Sequence, residues 1–240
     1  IAVWKVYRRI MRRVLVILFT LLSCSAIKAQ QRLECWQAGS AVTRAEVAQF
    51  GVDNCFKICT IDDAVFARMK GKSYKAECTI PRTELRYIKA LHITQEGVTK
   101  MGEMVVNRAI AEDVVTILRR LYEAGYPIER MVLVDEYDAD DEASMAANNS
   151  SAFNYRTTPG GTRLSAHSRG MAIDINPLYN PYVKNSNGKV IVAPKSATAY
   201  IDRSGNFPYK ITDDDICCRL FKEYGFEWGG EYKTIKDYQH

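Results

Sequence analysis

A stripe of apolar residues between Gly102 and Gly125 restricts the fold of this chain more than any other feature. Its members recur at the spacing of one face of an amphipathic helix: Ile110, Val114, Ile117, Leu118 and Leu121. Gly125 can end such a helix. The apolar residues 131–134 that follow are typical of a strand. A helix that packs against strands predicts a domain of mixed α and β structure.

Two shorter segments also have strand character. Residues 153–156 form one, and residues 171–175 form the other. Since successive side chains of a strand point to opposite faces, Asp174 lies on the face opposite Ile173 and Ile175. The sequence therefore predicts an α+β layout.

The rest of the C-terminal half contains a loop pattern and a second helix pattern. The acidic residues 135–142 are typical of a loop or a solvated edge. Thr212 or Asp213 can cap a helix over residues 214–224, and Gly225 can end it. Residues 31–90, in contrast, contain short mixed segments without a repeat.

The first residues have the composition of an export signal. A basic start without any acidic residue precedes an apolar run over residues 14–22, which is too short for a bilayer span. We therefore predict a signal peptide over residues 1–29 and export to the periplasm or cell envelope. The alternative is lipidation of Cys24, which follows a sequence close to a lipobox.

The charge balance argues against a nucleic-acid partner. Lysine and arginine total 33 residues against 28 aspartate and glutamate residues, and much of the surplus lies in the first 13 residues. The remaining chain is nearly neutral, whereas nucleic-acid-binding domains carry a basic patch.

Seven cysteines occur in the sequence, and removal of a signal peptide with Cys24 would leave six. Export would favour disulfides among them. The spacing Cys55-x3-Cys59 is also compatible with metal binding, but no histidine lies near it. We expect structural disulfides or buried thiols rather than a cysteine metal site.

Two of the three histidines stand close to carboxylates, which suggests a metal site. His167 precedes Asp174 by seven residues, and His240 follows Asp237 by three. A catalytic zinc uses three protein ligands from histidine and carboxylate, with one position left for water. Gly170 permits a tight turn that can bring Asp174 back beside His167.

A zinc-activated water also needs a base, and the charge that develops on the substrate needs a cation. Asp237 is the preferred base, with Glu227 and Glu231 as weaker candidates. Arg156 can stabilise the oxyanion beside the metal. The alternatives by spacing alone are Arg163 and Arg169.

Each of these residues also has an ordinary structural interpretation when it is taken singly. An isolated histidine is more often packed or exposed than bound to metal, Asp174 could cap a turn, and a terminal His240 could be frayed. The functional interpretation depends on the joint pattern.

Four segments together resemble the peptidase M15 family, with matching order and spacing from about residue 150 onwards. They are Phe153-Asn154-Tyr155-Arg156, Ser165-x-His167-x2-Gly170-x-Ala172-x-Asp174-Ile175-Asn176, Trp228-Gly229-Gly230 and Lys236-Asp237-Tyr238-Gln239-His240. That family includes D-alanyl-D-alanine carboxypeptidases, D-Ala-D-Ala dipeptidases and phage L-alanyl-D-glutamate endolysins.

The resemblance implies a role for six residues of this sequence. The zinc ligands would be His167, Asp174 and His240. Asp237 would be the acidic base, and an aspartate there is similar to the endolysin-type branch. Arg156 would stabilise the transition state, and Ser165 would help to hold the substrate.

The resemblance also implies a fold and an activity. We expect a small antiparallel sheet with flanking helices, of the Hedgehog and D-Ala-D-Ala peptidase type. Residues 30–90 would be an N-terminal extension packed on a catalytic domain of residues 91–240. The implied activity is zinc-dependent hydrolysis of peptidoglycan stem peptides by a monomer that meets the membrane only through its signal peptide or a lipid on Cys24.

Two other functions remain open from the sequence. A non-catalytic cell-wall binding module would retain the same scaffold, and an Asp/His hydrolase would work without metal, although Ser165 and Ser168 lie in no nucleophile-elbow sequence. Family members usually continue after the last ligand, whereas this sequence stops at His240. Truncation would explain the difference; otherwise a terminal carboxylate beside the ligand would perturb a zinc site.

Overall fold

The computed structural model describes Met11 and residues 33–158, 162–186 and 188–240. The rest of the predicted signal peptide, including Cys24, lies outside the described residues. Within the described ranges, no helix combines the length and the apolar character that a bilayer crossing needs.

Helices and antiparallel strands alternate irregularly along the chain, which confirms the α+β prediction. The α-helices that lie wholly within the described residues are α1 (Arg44–Phe50), α2 (Asp63–Met69), α3 (Ala111–Glu123), α4 (Asp141–Ala146) and α5 (Ile216–Glu223). The strands are β1 (Lys57–Thr60), β2 (Leu85–Ile93), β3 (Thr99–Asn107), β4 (Tyr182–Ser186), β5 (Lys189–Ala193) and β6 (Lys236–Asp237).

The first sheet has the order β1-β2-β3 and carries most of the core. Strands β2 and β3 pair along their full lengths, from Leu85 opposite Asn107 to Ile93 opposite Thr99. Helix α3 packs on this sheet through the predicted apolar stripe, whose members Val114, Ile117, Leu118 and Leu121 are buried. The helix prediction is therefore confirmed, and Gly125 follows the helix with φ +69°.

The second sheet has the order β5-β4-β6 and is much smaller. Its central strand β4 pairs with β6 through Tyr182 opposite Asp237 and Val183 opposite Lys236. Strand β5 is largely exposed. This sheet positions the chain that leads from Asp237 to His240.

The predicted strand at residues 131–134 is wrong. This segment is extended, but its backbone bonds go partly to side chains: Val132 N donates to the Asn149 side chain, and Leu133 N donates to Glu103 Oε1. Val134 already begins a short 3-10 helix, Val134–Tyr137. The predicted loop at residues 135–142 is therefore largely helical, since α4 begins at Asp141.

The predictions of strands at residues 153–156 and 171–175 are also wrong. Residues 153–156 form no strand, and residues 171–175 contribute only an isolated bridge between Asp174 and Ser151. Ile173 and Ile175 belong to the core cluster, and Asp174 between them is buried as well.

The last helix is shorter than predicted and has a different cap. Asp215 caps α5, since its side chain accepts a hydrogen bond from Cys217 N at 2.6 Å. Thr212 and Asp213 lie before this cap. Gly225 follows the helix with φ +83°, as expected for a terminating glycine.

The segment before β1 packs directly on the first sheet. Trp36 Nε1 donates to Gly102 O at 3.0 Å, and Gly39 N donates to Met101 O at 2.7 Å. The boundary proposed at residue 90 lies inside β2, so the segments on its two sides share one sheet. The division into an extension and a catalytic domain stays a prediction.

All cysteines in the described part of the chain are free thiols. Cys55, Cys217 and Cys218 are buried. These three correspond to the buried-thiol alternative, whereas Cys35 is exposed and Cys59 and Cys78 are partly buried. No cysteine belongs to a metal-binding cluster of the described residues.

Candidate metal centre

Three distant residues of the sequence meet in one cluster. The candidate ligand atoms of His167, Asp174 and His240 all lie within 4.8 Å of one another. Asp174 is at the centre, with Oδ2 3.3 Å from His167 Nε2 and Oδ1 3.3 Å from His240 Nδ1. Two imidazole nitrogens and a carboxylate are a donor set that suits zinc.

The backbone of residues 152–156 holds His167 in place. His167 begins a short 3-10 helix, His167–Arg169, and its Nδ1 donates to Ala152 O at 2.7 Å. Because a carbonyl oxygen can only accept, Nδ1 carries a proton, and Nε2 is the ring nitrogen that lies toward Asp174. Such a bond fixes the orientation and tautomer of a metal-binding histidine.

Gly170 makes the turn between His167 and Asp174. Its φ is +64°, and a Cβ at this position would lie 2.7 Å from Asn107 N. The close approach lets Asn107 N donate to Gly170 O at 2.8 Å. The turn is thus anchored to the end of β3, and only glycine meets both requirements.

Backbone hydrogen bonds hold Asp174 and His240 in place. Asp174 N donates to Ser151 O, and Ile175 N donates to Gln239 O, both at 2.9 Å. Gly229 N donates to His240 O at 2.9 Å. A Cβ on Gly229 would clash with Asp237, so this glycine permits the close packing of the C-terminal segment.

Burial and charge set the protonation of the cluster. Burial raises the pKa of Asp174, but the charges and hydrogen bonds of His167 and His240 outweigh this effect. The net pKa is below the usual value, so the carboxylate is ionised. Burial lowers the pKa of His240, whereas its hydrogen bond to Asp174 and the negative charge there give a net increase. An ionised carboxylate between two imidazoles is ready to bind a cation.

Asp237 lies close to this cluster as a fourth titratable group. Burial, followed by the negative charge of Asp174, raises the pKa of Asp237 to about 6. Its Oδ1 accepts a hydrogen bond from Gln239 Nε2 at 3.2 Å. A carboxyl with such a pKa can exchange a proton near neutral pH.

Arg156 lies on the same side of the molecule as the cluster, and its positive charge opposes the increase in the pKa of His240. Its Nε forms an ion pair with Asp141 Oδ2. Sequence reasoning missed Asp141, because it belongs to an acidic stretch without a motif.

Ser165 is buried beside His167. Its Oγ accepts a hydrogen bond from His167 N at 3.3 Å, and its N donates to Arg156 O at 3.0 Å. The serine therefore links the backbones of Arg156 and His167, and its hydroxyl hydrogen remains available to another acceptor.

A cavity of about 340 Å³ adjoins the cluster, and His240 is one of its walls. Its other walls are mainly apolar and aromatic, with Met171, Phe226, Trp228 and Tyr232 among them. A concave apolar space beside convergent polar groups is typical of a ligand site.

The weaker candidates for the base and the remaining histidine lie outside the cluster of His167, Asp174 and His240. Glu227 lines the cavity, whereas Glu231 forms an ion pair with Lys222. The third histidine, His92, is a buried residue of strand β2, and its Nδ1 lies 2.7 Å from Ile128 O.

Comparison with known proteins identifies the C-terminal part of this site. A protein-family model described as D-alanyl-D-alanine carboxypeptidase matches residues 159–240, which contain His167, Asp174, Asp237 and His240. No curated protein and no solved structure matches the chain significantly. The match supports the resemblance of the C-terminal part of the chain to the M15 peptidase family.

Proposed function

We propose that this chain is a zinc-dependent peptidase that hydrolyses peptide bonds of peptidoglycan stem peptides. The observation that carries the proposal is the convergence of His167, Asp174 and His240 within 4.8 Å, inside a segment that matches a carboxypeptidase family. We further propose that it acts as a monomer in the periplasm or cell envelope.

The residues of the cluster fit a zinc ion. His167 directs Nε2 toward the cluster, since its Nδ1 hydrogen is donated to Ala152 O, and Nε2 is the atom that would bind the metal. Asp174 is an ionised carboxylate between the two imidazoles. A zinc ion bound there would supply Lewis-acid activation of water and of the scissile carbonyl.

Asp237 would handle the proton of the attacking water. The carboxylate accepts this proton on one oxygen and delivers it to the leaving amine, which restores the carboxylate for the next cycle. Its raised pKa, about 6, places both forms within reach near neutral pH.

Arg156 and the cavity would act on the substrate itself. The guanidinium stabilises negative charge on the carbonyl oxygen as the water attacks. Ser165 helps to hold the peptide beside His167, and the cavity next to His240 receives an apolar part of it.

The test is hydrolysis of defined peptides by the purified protein. One stem peptide should end in D-Ala-D-Ala, and another should contain an L-Ala-D-Glu bond, so that product masses locate the cleaved bond. We expect cleavage of one of them, loss of activity on chelation and recovery when zinc is restored.

Two outcomes would reject this function. Full activity after complete removal of zinc would favour a hydrolase that needs no metal. One bound zinc without cleavage of any stem peptide would favour a non-catalytic cell-wall binding module.

A further inference from the structure

We propose that Asp141 is a positioning residue, which orients the guanidinium of Arg156 toward the substrate. This inference rests on the proposed peptidase function, in which Arg156 stabilises the transition state. Asp141 and Arg156 both precede residues 159–240, so the family match does not include them.

Both oxygens of the Asp141 carboxylate are used. Oδ2 forms the ion pair with Arg156 Nε, and Oδ1 accepts a hydrogen bond from Asn154 Nδ2 at 2.7 Å. The side chains of Asp141 and Arg156 are only 29% and 24% exposed. Since water has limited access, this pair holds its geometry better than a fully exposed pair.

Asn154 connects this carboxylate to the metal centre. Its Nδ2 also donates to Ala139 O at 3.2 Å, immediately before α4, and its backbone N donates to His167 O at 3.2 Å. The position of Asp141 is thereby set relative to His167, a candidate zinc ligand.

The backbone of Arg156 is anchored by hydrogen bonds as well. Arg156 N donates to Ser168 Oγ at 2.8 Å, and Arg156 O accepts from Ser165 N at 3.0 Å. Both anchors belong to the turn that carries His167. With the backbone and Nε fixed, the long side chain loses most of its freedom to rotate.

The choice of Nε as the anchored atom has a chemical consequence. A guanidinium donates hydrogen bonds from Nε and from both Nη atoms. The ion pair with Asp141 lies at Nε, and this leaves the Nη donors for an oxyanion. Such preorganised donors lower the barrier because they need no reorientation during the reaction.

The experiment compares two identical substitutions in the same acidic segment. Asp141→Asn weakens the anchor, because an amide carries no charge and has only one oxygen, so it cannot present an acceptor to both Arg156 and Asn154. Asp138→Asn is the control: Asp138 is 86% exposed and pairs with Lys72 at 2.7 Å. Asn is well tolerated at the positive φ of residue 138, which is +54°.

We expect Asp141→Asn to lower kcat by roughly 10-fold to 100-fold, as for a misplaced catalytic group, with little change in KM or zinc content. Asp138→Asn should retain wild-type kinetics. In the background of Arg156→Ala, Asp141→Asn should have almost no further effect, because the two residues act as one unit.

Two results would overturn the role of Asp141 while the peptidase function stands. One is an active wild type with unchanged kcat in Asp141→Asn. The other is an equal loss in the presence and absence of Arg156, which would indicate a general structural role. A wild type with zinc but without hydrolysis would instead overturn the proposed function, and the role of Asp141 with it.

Discussion

Two histidines in different regions are anchored in the same way but have opposite surroundings. His92 on β2 and His167 in the turn before Asp174 each place Nδ1 2.7 Å from a backbone carbonyl. The Nε2 of His167 faces Asp174, whereas the Nε2 of His92 is buried without a hydrogen-bond partner in the described part of the chain. The same local bond thus supports a candidate ligand in one region and a core side chain in the other.

The backbones around the two histidines differ as well. His92 lies in a ladder in which β2 and β3 pair over nine residues each. The chain around His167 contains only isolated bridges and is held by hydrogen bonds that involve Ser165, Ser168 and Asn154. A regular sheet buries alternate side chains in the core, while irregular backbone can direct several polar side chains to one point.

The largest predicted effect concerns apolar packing between helix α3 and the first sheet, the region that contains His92. Leu121 is fully buried on α3, so Leu121→Ala should lower the free energy of unfolding by about 2–5 kcal/mol. Zinc affinity of the folded protein should remain unchanged. Urea unfolding and a zinc titration measure the two quantities.

The matched control for Leu121 is an apolar residue of the second sheet. Val190 on β5 is 51% exposed, so Val190→Ala should change stability by less than about 0.5 kcal/mol. Equal losses in the two variants would contradict the assignment of the main core to the first sheet.

The next largest effect concerns the turn at Gly170, which is anchored to the end of β3. Gly170→Ala forces a side chain into the left-handed region and brings its Cβ 2.7 Å from Asn107 N. The combined strain and overpacking should cost about 3 kcal/mol of stability and should weaken zinc binding. Thermal unfolding and zinc affinity report both changes.

Gly71→Ala is the control for the turn. Gly71 also has positive φ, +79°, but the Cβ that alanine would add meets no atom of the described residues within 4 Å beyond its chain neighbours. Backbone strain alone should cost roughly 1–2 kcal/mol there and leave zinc affinity intact. If Gly170→Ala bound zinc as tightly as Gly71→Ala, the turn would not determine the geometry of the metal centre.

The smallest effect concerns the pH dependence that His92 introduces. Burial lowers the pKa of His92 from 6.5 to about 4. Because the unfolded chain takes up the proton first as pH falls, the stability contributed by neutral His92 is present above pH 6.5 and is lost between about pH 6.5 and 4. From pH 7 to pH 5 the wild type should lose about 2 kcal/mol more than His92→Gln.

Urea unfolding of both proteins at the two pH values provides the measurement. The difference between them isolates His92, since every other titratable group is present in both proteins. An equal loss of stability in wild type and variant would mean that His92 can be protonated in the folded state.

Periodic features of the fold could be predicted from the sequence, while irregular ones could not. The stripe of α3 has the helical period, and Gly125 ends it, so both were predictable. Residues 131–134 have the composition of a strand, but an extended buried segment has the same composition. Only the tertiary contacts, such as the bond from Leu133 N to Glu103, separate the two.

The site shows the same limit. His167, Asp174 and His240 could be selected because their residue types and spacing form a motif, and the structure brings them together. Asp141 could not be selected, because its contact with Arg156 joins the start of α4 to a distant loop and follows no period. Asn154 belongs to the motif of residues 153–156, yet its bonds to Asp141 and His167 depend on the folded backbone.

Zinc content per chain tests the central claim most directly, because it depends on the three ligands and not on the choice of substrate. We expect one zinc per chain in the wild type, loss of zinc in His167→Ala, Asp174→Ala and His240→Ala, and retention in Asp237→Ala. Wild-type protein without zinc would contradict the metal centre. Equal loss of zinc in Asp237→Ala and His167→Ala would instead make Asp237 a ligand and contradict its role as the base.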